Sequence, residues 1–165
     1  MLTGKWPAAI GAATGYTEAH ARHTLRRLRE AALIPTGPCP PPFTGREISR
    51  VLTGLCLKHL PTLAADVATL EAAPSRTVPT YGIDTAGDAL SAIVEDLLAS
   101  RVRALGAIEV NPEWGDVTLH SFDNDGLPVV QRFGNGDPQR YGLATATSVL
   151  PLSAVLSVAR ILTAR

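Results

Sequence analysis

The spacing of apolar residues changes once along this chain of 165 residues, and that change sets its fold class. Up to Leu105 the large aliphatics recur at intervals of three and four. Ile48, Val51, Leu52, Leu55 and Cys56 form one such series, and Leu90, Ile93, Val94, Leu97, Leu98, Val102 and Leu105 another. Each draws a single stripe along a helix of 3.6 residues per turn. From Ala107 the period is two: Ile108 and Val110 flank Glu109, while Val117 and Leu119 alternate with Thr118 and His120, the pattern of half-buried strands. Asp123-Asn124-Asp125-Gly126 reads as a hairpin turn before LPVVQRF, and YGLATATSV as a fourth strand. Pro151 then opens a helix carrying Leu152, Val155, Leu156, Ala159 and Leu162 on one face. The predicted class is α+β, an N-terminal helical domain followed by a small antiparallel β-meander flanked by helices.

Proline and capping signals divide the chain further. Five of its 13 prolines fall between Pro35 and Pro42, where fixed φ and missing N–H groups forbid a helix, so 35–43 is a connector. Thr44-Gly45-Arg46-Glu47 is a capping box, with Phe43 and Ile48 placed as a hydrophobic staple, and Pro61 ends the helix it starts. Thr62 caps a shorter helix lined by Leu63, Val67 and Leu70. A second breaker, PSRTVP, predicts a linker over 74–80 between a domain at 1–73 and an α-β-β-β(-β)-α domain at 81–165. Thr85-Ala86-Gly87-Asp88 caps the long helix of the second domain, and Gly106 is its expected C′ residue.

Charge narrows the function. The formal net charge is zero, which excludes a globally basic nucleic-acid binder. The first 60 residues nevertheless carry eight Lys or Arg against three acids, so the front half is cationic and the remainder equally anionic. Cys39 and Cys56 have neither metal-ligand spacing nor the density of a disulfide scaffold, which predicts a reducing cytoplasm. The N-terminus is a poor signal peptide, and no apolar run reaches the roughly 18 residues of a membrane span.

The cationic excess concentrates between Ile10 and Ile34. A small-residue helix starts near Pro7, Gly15 supplies a residue able to take positive φ, and Thr17 can cap a second helix over 18–31. Ala21, Leu25 and Leu28 occupy offsets 0, 4 and 7 and face inward. Thr17, Glu18, His20, Arg22, His23, Arg26, Arg27 and Arg29 are thereby left for the remaining surface.

Gly15-Tyr16-Thr17, Ala21 six residues after the glycine, Leu25 and Leu28, and the closing Ala32-Leu33-Ile34 resemble the helix-turn-helix of winged-helix DNA-binding regulators. The phrase REAALIPTG is similar to small prophage-type proteins. The resemblance covers about 30 residues and implies a sequence-specific double-stranded DNA-binding protein, a transcription regulator of phage or mobile-element type, with 18–31 entering the major groove. It implies base-edge contacts from Thr17, Glu18, His20, Arg22, His23 and Arg26, and phosphate contacts from Arg27 and Arg29. The chain departs from the family in three places: only six residues precede Pro7, PTGPCPPPF stands in place of the wing hairpin, and Ala32 replaces a usual glycine.

Other chemistry is less well supported by the sequence. A calcium loop begun at Asp123 would need glutamate where Gly134 stands, and Gly134-Asn135-Gly136-Asp137 has no lysine to complete a phosphate-binding loop. No metal, cofactor or enzymatic site is predicted. One recognition helix reads few base pairs, so a homodimer or a partner protein bound through the C-terminal domain is expected. The alternative function is a protein–protein adaptor of a phage packaging or transcription complex that does not read DNA.

Overall fold

The computed structural model describes residues 3–37, 40–76, 83–123, 125–134 and 147–164. The described elements are α1 (Trp6–Thr14), α2 (Glu18–Glu30), α3 (Gly45–Cys56), α4 (Leu63–Glu71), α5 (Ala86–Leu98), β1 (Ala107–Asn111), β2 (Asp116–Phe122), β3 (Pro128–Phe133), β4 (Ser148–Pro151) and α6 (Leu152–Thr163). The class is α+β, with helices first and then an antiparallel sheet closed by a C-terminal helix.

Local chemistry accounts for most boundaries. At the start of α3, the Thr44 hydroxyl accepts the Glu47 N–H (3.3 Å) while the Glu47 carboxylate accepts the Thr44 N–H (2.7 Å), the reciprocal pairing of a capping box. Thr85 likewise accepts the Asp88 N–H at the head of α5. The hairpin after β2 forms because Asp123 Oδ1 accepts the backbone N–H of Asp125 and of Leu127, and Gly126 takes φ +80°.

Two predicted boundaries move. α5 ends at Leu98 rather than running to Gly106: Ser100 adopts φ +56°, its N–H bonds the Leu97 carbonyl and the Arg101 N–H bonds that of Asp96, which completes a Schellman cap. Gly106 serves the sheet instead, since at φ +111° its α-carbon lies against the His120 carbonyl of β2, where a side chain would collide. The fourth strand is Ser148–Pro151; of the segment predicted for it, 141–146 lies outside the described residues.

The sheet order is β3-β2-β1-β4. Register aligns Val149, Glu109, Thr118 and Arg132 in one row across all four strands, and Ala107, His120 and Val130 in the next. Alternation therefore gives the sheet two faces. Ile108, Val110, Val117, Leu119, Phe133 and Leu150 are buried on the inner face, toward α5 and α6, whereas Phe122, Val130 and Val149 are exposed on the outer one.

α3 is the hub, packed on α2, α4, α5 and α6, while α1 packs on α2 and α6. The apolar core is continuous through Ile10, Leu28, Leu52, Leu97 and Val155, so helices on both sides of 74–80 bury their stripes on one another. Where described, the predicted linker is stitched to the sheet: Ser75 bridges Phe133, and the Arg76 N–H bonds the Arg132 carbonyl. Residues 77–80 lie outside the described residues.

A set of ion pairs centred on α3 reaches across the same junction at one point, Arg46–Asp88. Arg50 Nε donates to both oxygens of buried Glu71 (3.0 and 3.2 Å) and its Nη1 to the Leu33 carbonyl (2.9 Å), tying α3 to α4 and to the exit of α2. Arg46 reaches Glu71 (3.6 Å) and Asp88 (3.2 Å), the latter on α5. Glu71 is the buried member, and leaving such a carboxylate without partners typically costs about 3–5 kcal/mol, whereas an exposed pair such as Arg46–Asp88 is worth about 0.2–1 kcal/mol.

Candidate nucleic-acid interface

The segment with the densest positive charge folds as two helices joined by a tight turn. Pro7 sits in the first turn of α1, where its missing N–H has no intrahelical acceptor to lose. Gly15 ends α1 at φ +79°, and the Thr17 hydroxyl caps α2 by accepting the His20 N–H (3.1 Å). The absence of a side chain at Gly11 lets the turn fold back on α1, since a methyl group there would stand 2.8 Å from the Tyr16 carbonyl oxygen.

Tyr16 fixes this turn to the rest of the protein. It is half-buried beside Cys56 and Ser148, and burial pushes its ionisation up to about 12. Its ring lies 5.2 Å from that of His20, whose Nε2 donates to the Leu55 carbonyl (2.9 Å). Leu55 is in the last turn of α3, where carbonyls have no intrahelical donor. Ala21, Thr24, Leu25 and Leu28 complete the buried side of α2 at 0–2% exposure, as the offsets predict for the three apolar residues.

The eight expected contact residues separate into two groups. Thr17, Glu18, Arg22, His23, Arg26 and Arg27 lie on the exposed surface, with the Arg22 and Arg26 side chains 65% and 66% exposed. His20 and Arg29 are directed inward. His20 is committed to Leu55, and Arg29 lies with its guanidinium carbon 5.9 Å from the centre of the Trp6 ring. Arg29 Nε and Nη2 are shielded from solvent without a hydrogen-bond partner, and burial lowers the group's pKa. Both residues fall at the margins of the inward stripe, and which margin is covered depends on where α1 and α3 pack.

The exposed arginines pair with carboxylates of their own helix. Arg22 bonds Glu18, Arg26 Nε donates to Glu30 (2.7 Å), and Arg27 Nη1 donates to the same carboxylate (3.1 Å). Hydrogen bonding to Glu30 raises the Arg26 pKa, and the bond from Arg26 in turn lowers that of Glu30. None of these three guanidiniums meets an acid from the C-terminal half among the described residues. Three arginines stand against two glutamates on this face, and Glu30, absent from the expected contact set, is the acid that engages two of them.

A second concavity, of about 200 Å³, opens on the outer face of the sheet. Arg76 Nη2 donates to both Asp116 oxygens (2.8 Å each) and Arg76 Nε to the Gly134 carbonyl (3.0 Å). His120 Nε2 lies 3.3 Å from Glu109 Oε1, within ion-pair distance but out of hydrogen-bonding alignment. Arg132 borders the same hollow. The Arg76–Asp116 pair is the ion pair fixed at its floor, with Glu109, His120 and Arg132 around it.

Among the described residues, no helix is long and apolar enough to cross a membrane. Comparison with protein-family models, curated proteins and solved structures finds no match to this chain.

Proposed function

We propose that this chain is a sequence-specific double-stranded DNA-binding protein, a transcription regulator of phage or mobile-element type, that lays α2 in the major groove. The observation that carries this reading is the two-sidedness of α2. One side is locked down by Ala21, Leu25, Leu28 and the His20–Leu55 bond, and the other presents Arg22, His23, Arg26 and Arg27 to solvent. A helix held on a rigid base can bring guanidiniums to guanine O6/N7 or to phosphate without ordering a flexible segment first. The intrahelical ion pairs are a weak competitor, since exposed pairs of this kind are worth about 0.2–1 kcal/mol. Arg29, held over Trp6, positions α2 against α1 in this scheme.

Selection of bound fragments from random duplex DNA, followed by titration of the selected site, tests the reading. Replacing Arg22 and Arg26 by Ala is expected to weaken the selected site by about tenfold or more while helical content is unchanged. Equal binding by the double variant would overturn the assignment. A homodimer formed through 81–165 would offer two such helices to paired half-sites, and a selected sequence with two-fold symmetry is its expected signature.

The adaptor reading draws on a different observation, the exposed Phe122, Val130 and Val149 on the outer face of the sheet. It predicts no shift of random duplex DNA even at about 50 mM salt, where non-specific phosphate binding is strong.

A further inference from the structure

Beyond α2 itself, the structure brings a second segment with a basic side chain beside one flank of that helix. The connection from α3 to α4, residues 57–62, runs along one flank of α2. Just before it His20 bonds the Leu55 carbonyl of α3, and near its end Leu60 and Pro61 line a hollow with Arg27 and Glu30 of α2 and Ala31 that follows them. Lys58 and His59 lie between these two places and both are exposed. The helical repeat of 100° per residue sets His20, Arg27 and Ala31 along the flank of α2 that adjoins this connection, with His23 next toward solvent.

Electrostatics gives the juxtaposition a use. The arginines of α2 are partly offset by Glu18 and Glu30, whereas Lys58 makes no ion pair among the described residues. Asp66 and Glu113 line the hollow on the other side of Lys58 and His59, and Asp66 already accepts the Thr62 hydroxyl (2.7 Å). An ammonium without an ion pair among the described residues, on a short connection beside the flank that carries Arg27, suits a sugar–phosphate strand bordering the groove that α2 enters.

We infer that Lys58 and His59 form a phosphate-gripping contact for duplex DNA alongside α2. The inference rests on the reading of α2 as the DNA-facing helix. Lys58 supplies the charge and His59 a hydrogen-bond donor, and neither reads sequence.

Salt-titrated binding of the full chain to a random-sequence duplex and to a selected one tests it, with Lys58→Gln, His59→Gln and Arg22→Ala compared. For Lys58→Gln the slope of log K against log salt is expected to fall by about 0.9, by the same amount on both duplexes. His59→Gln is expected to weaken both equally with little change in slope, while Arg22→Ala weakens the selected duplex more. Melting curves matching wild type establish that the exposed substitutions leave the fold intact. Unchanged slope and affinity for Lys58→Gln, with Arg22→Ala still weakened, would overturn the inference and leave the α2 reading standing. A wild-type chain that binds neither duplex would overturn both.

Discussion

His20 Nε2 stands 2.9 Å from the Leu55 carbonyl oxygen, so the first turn of α2 supplies the hydrogen bond that the last turn of α3 lacks. The bond sets the orientation of the arginine-bearing helix from its N-terminal end, where the Tyr16 ring also lies against that of His20. His20→Ala leaves a half-buried carbonyl unpaired, and a loss of about 1–3 kcal/mol in stability is expected. Chemical denaturation measures it directly. Wild-type stability in the variant would show that the bond does not hold α2 in place.

Ala32 closes α2 with a left-handed residue, at φ +54°. The Leu33 N–H bonds the Leu28 carbonyl and the Ala32 N–H that of Arg29, the two bonds of a Schellman cap. A β-carbon makes this conformation costly by roughly 1–2 kcal/mol, and the greater freedom of glycine in the unfolded chain returns part of that gain. Ala32→Gly is therefore expected to stabilise the protein by about 0.5–1 kcal/mol, visible as a higher denaturation midpoint. A lower midpoint would contradict the cap geometry.

Glu30 draws both Arg26 and Arg27 toward itself. If those guanidiniums face phosphate, Glu30→Gln frees them and removes a repelling carboxylate. Affinity for duplex DNA should rise by about two- to fivefold at low salt, and the gain should shrink as salt is added. An electrophoretic or fluorescence titration distinguishes this from the loss expected if Glu30 were itself a base contact.

Cys56 lies 2% exposed at the end of α3, and burial pushes its thiol from 9.0 up to about 12, with Tyr16 moved from 10.0 to about 12 beside it. Both folded-state values lie above the unfolded ones, so the neutral forms are favoured in the fold. Their contribution is complete below pH 9 and lost as pH rises toward 12. Stability should decline through that alkaline window. At neutral pH an alkylating reagent should leave Cys56 unmodified until the chain unfolds, as peptide mass mapping would reveal. Rapid modification of Cys56 in the native protein would refute the buried-thiol assignment.

Local rules explain why much of this molecule is readable from its residues. The capping box at Thr44 and the 3.6-residue stripe from Ile48 to Cys56 make a helix wherever that segment sits, because the cap and the stripe lie within it. Alternation about Glu109 and Thr118 makes strands for the same reason, and Gly15-Tyr16-Thr17 makes a turn between helices. Ala21, Leu25 and Leu28 identify the inner side of α2 through spacing alone.

Other features depend on atoms far apart in sequence. Gly106 has the composition of a helix stop, yet its conformation answers to the His120 carbonyl on a neighbouring strand, while Ser100 closes the helix. His20 and Arg29 carry the same polar signature as Arg22 and Arg26, but Leu55 and Trp6 draw the first pair inward. The position of Lys58 and His59 beside α2 likewise follows from how α3 packs. Periodicity and caps determined which segments are helices or strands and which stripe each buries, since those energies are local. The tertiary structure decided which flank of each stripe meets a neighbour, because that depends on the placement of surfaces brought together only by the common core.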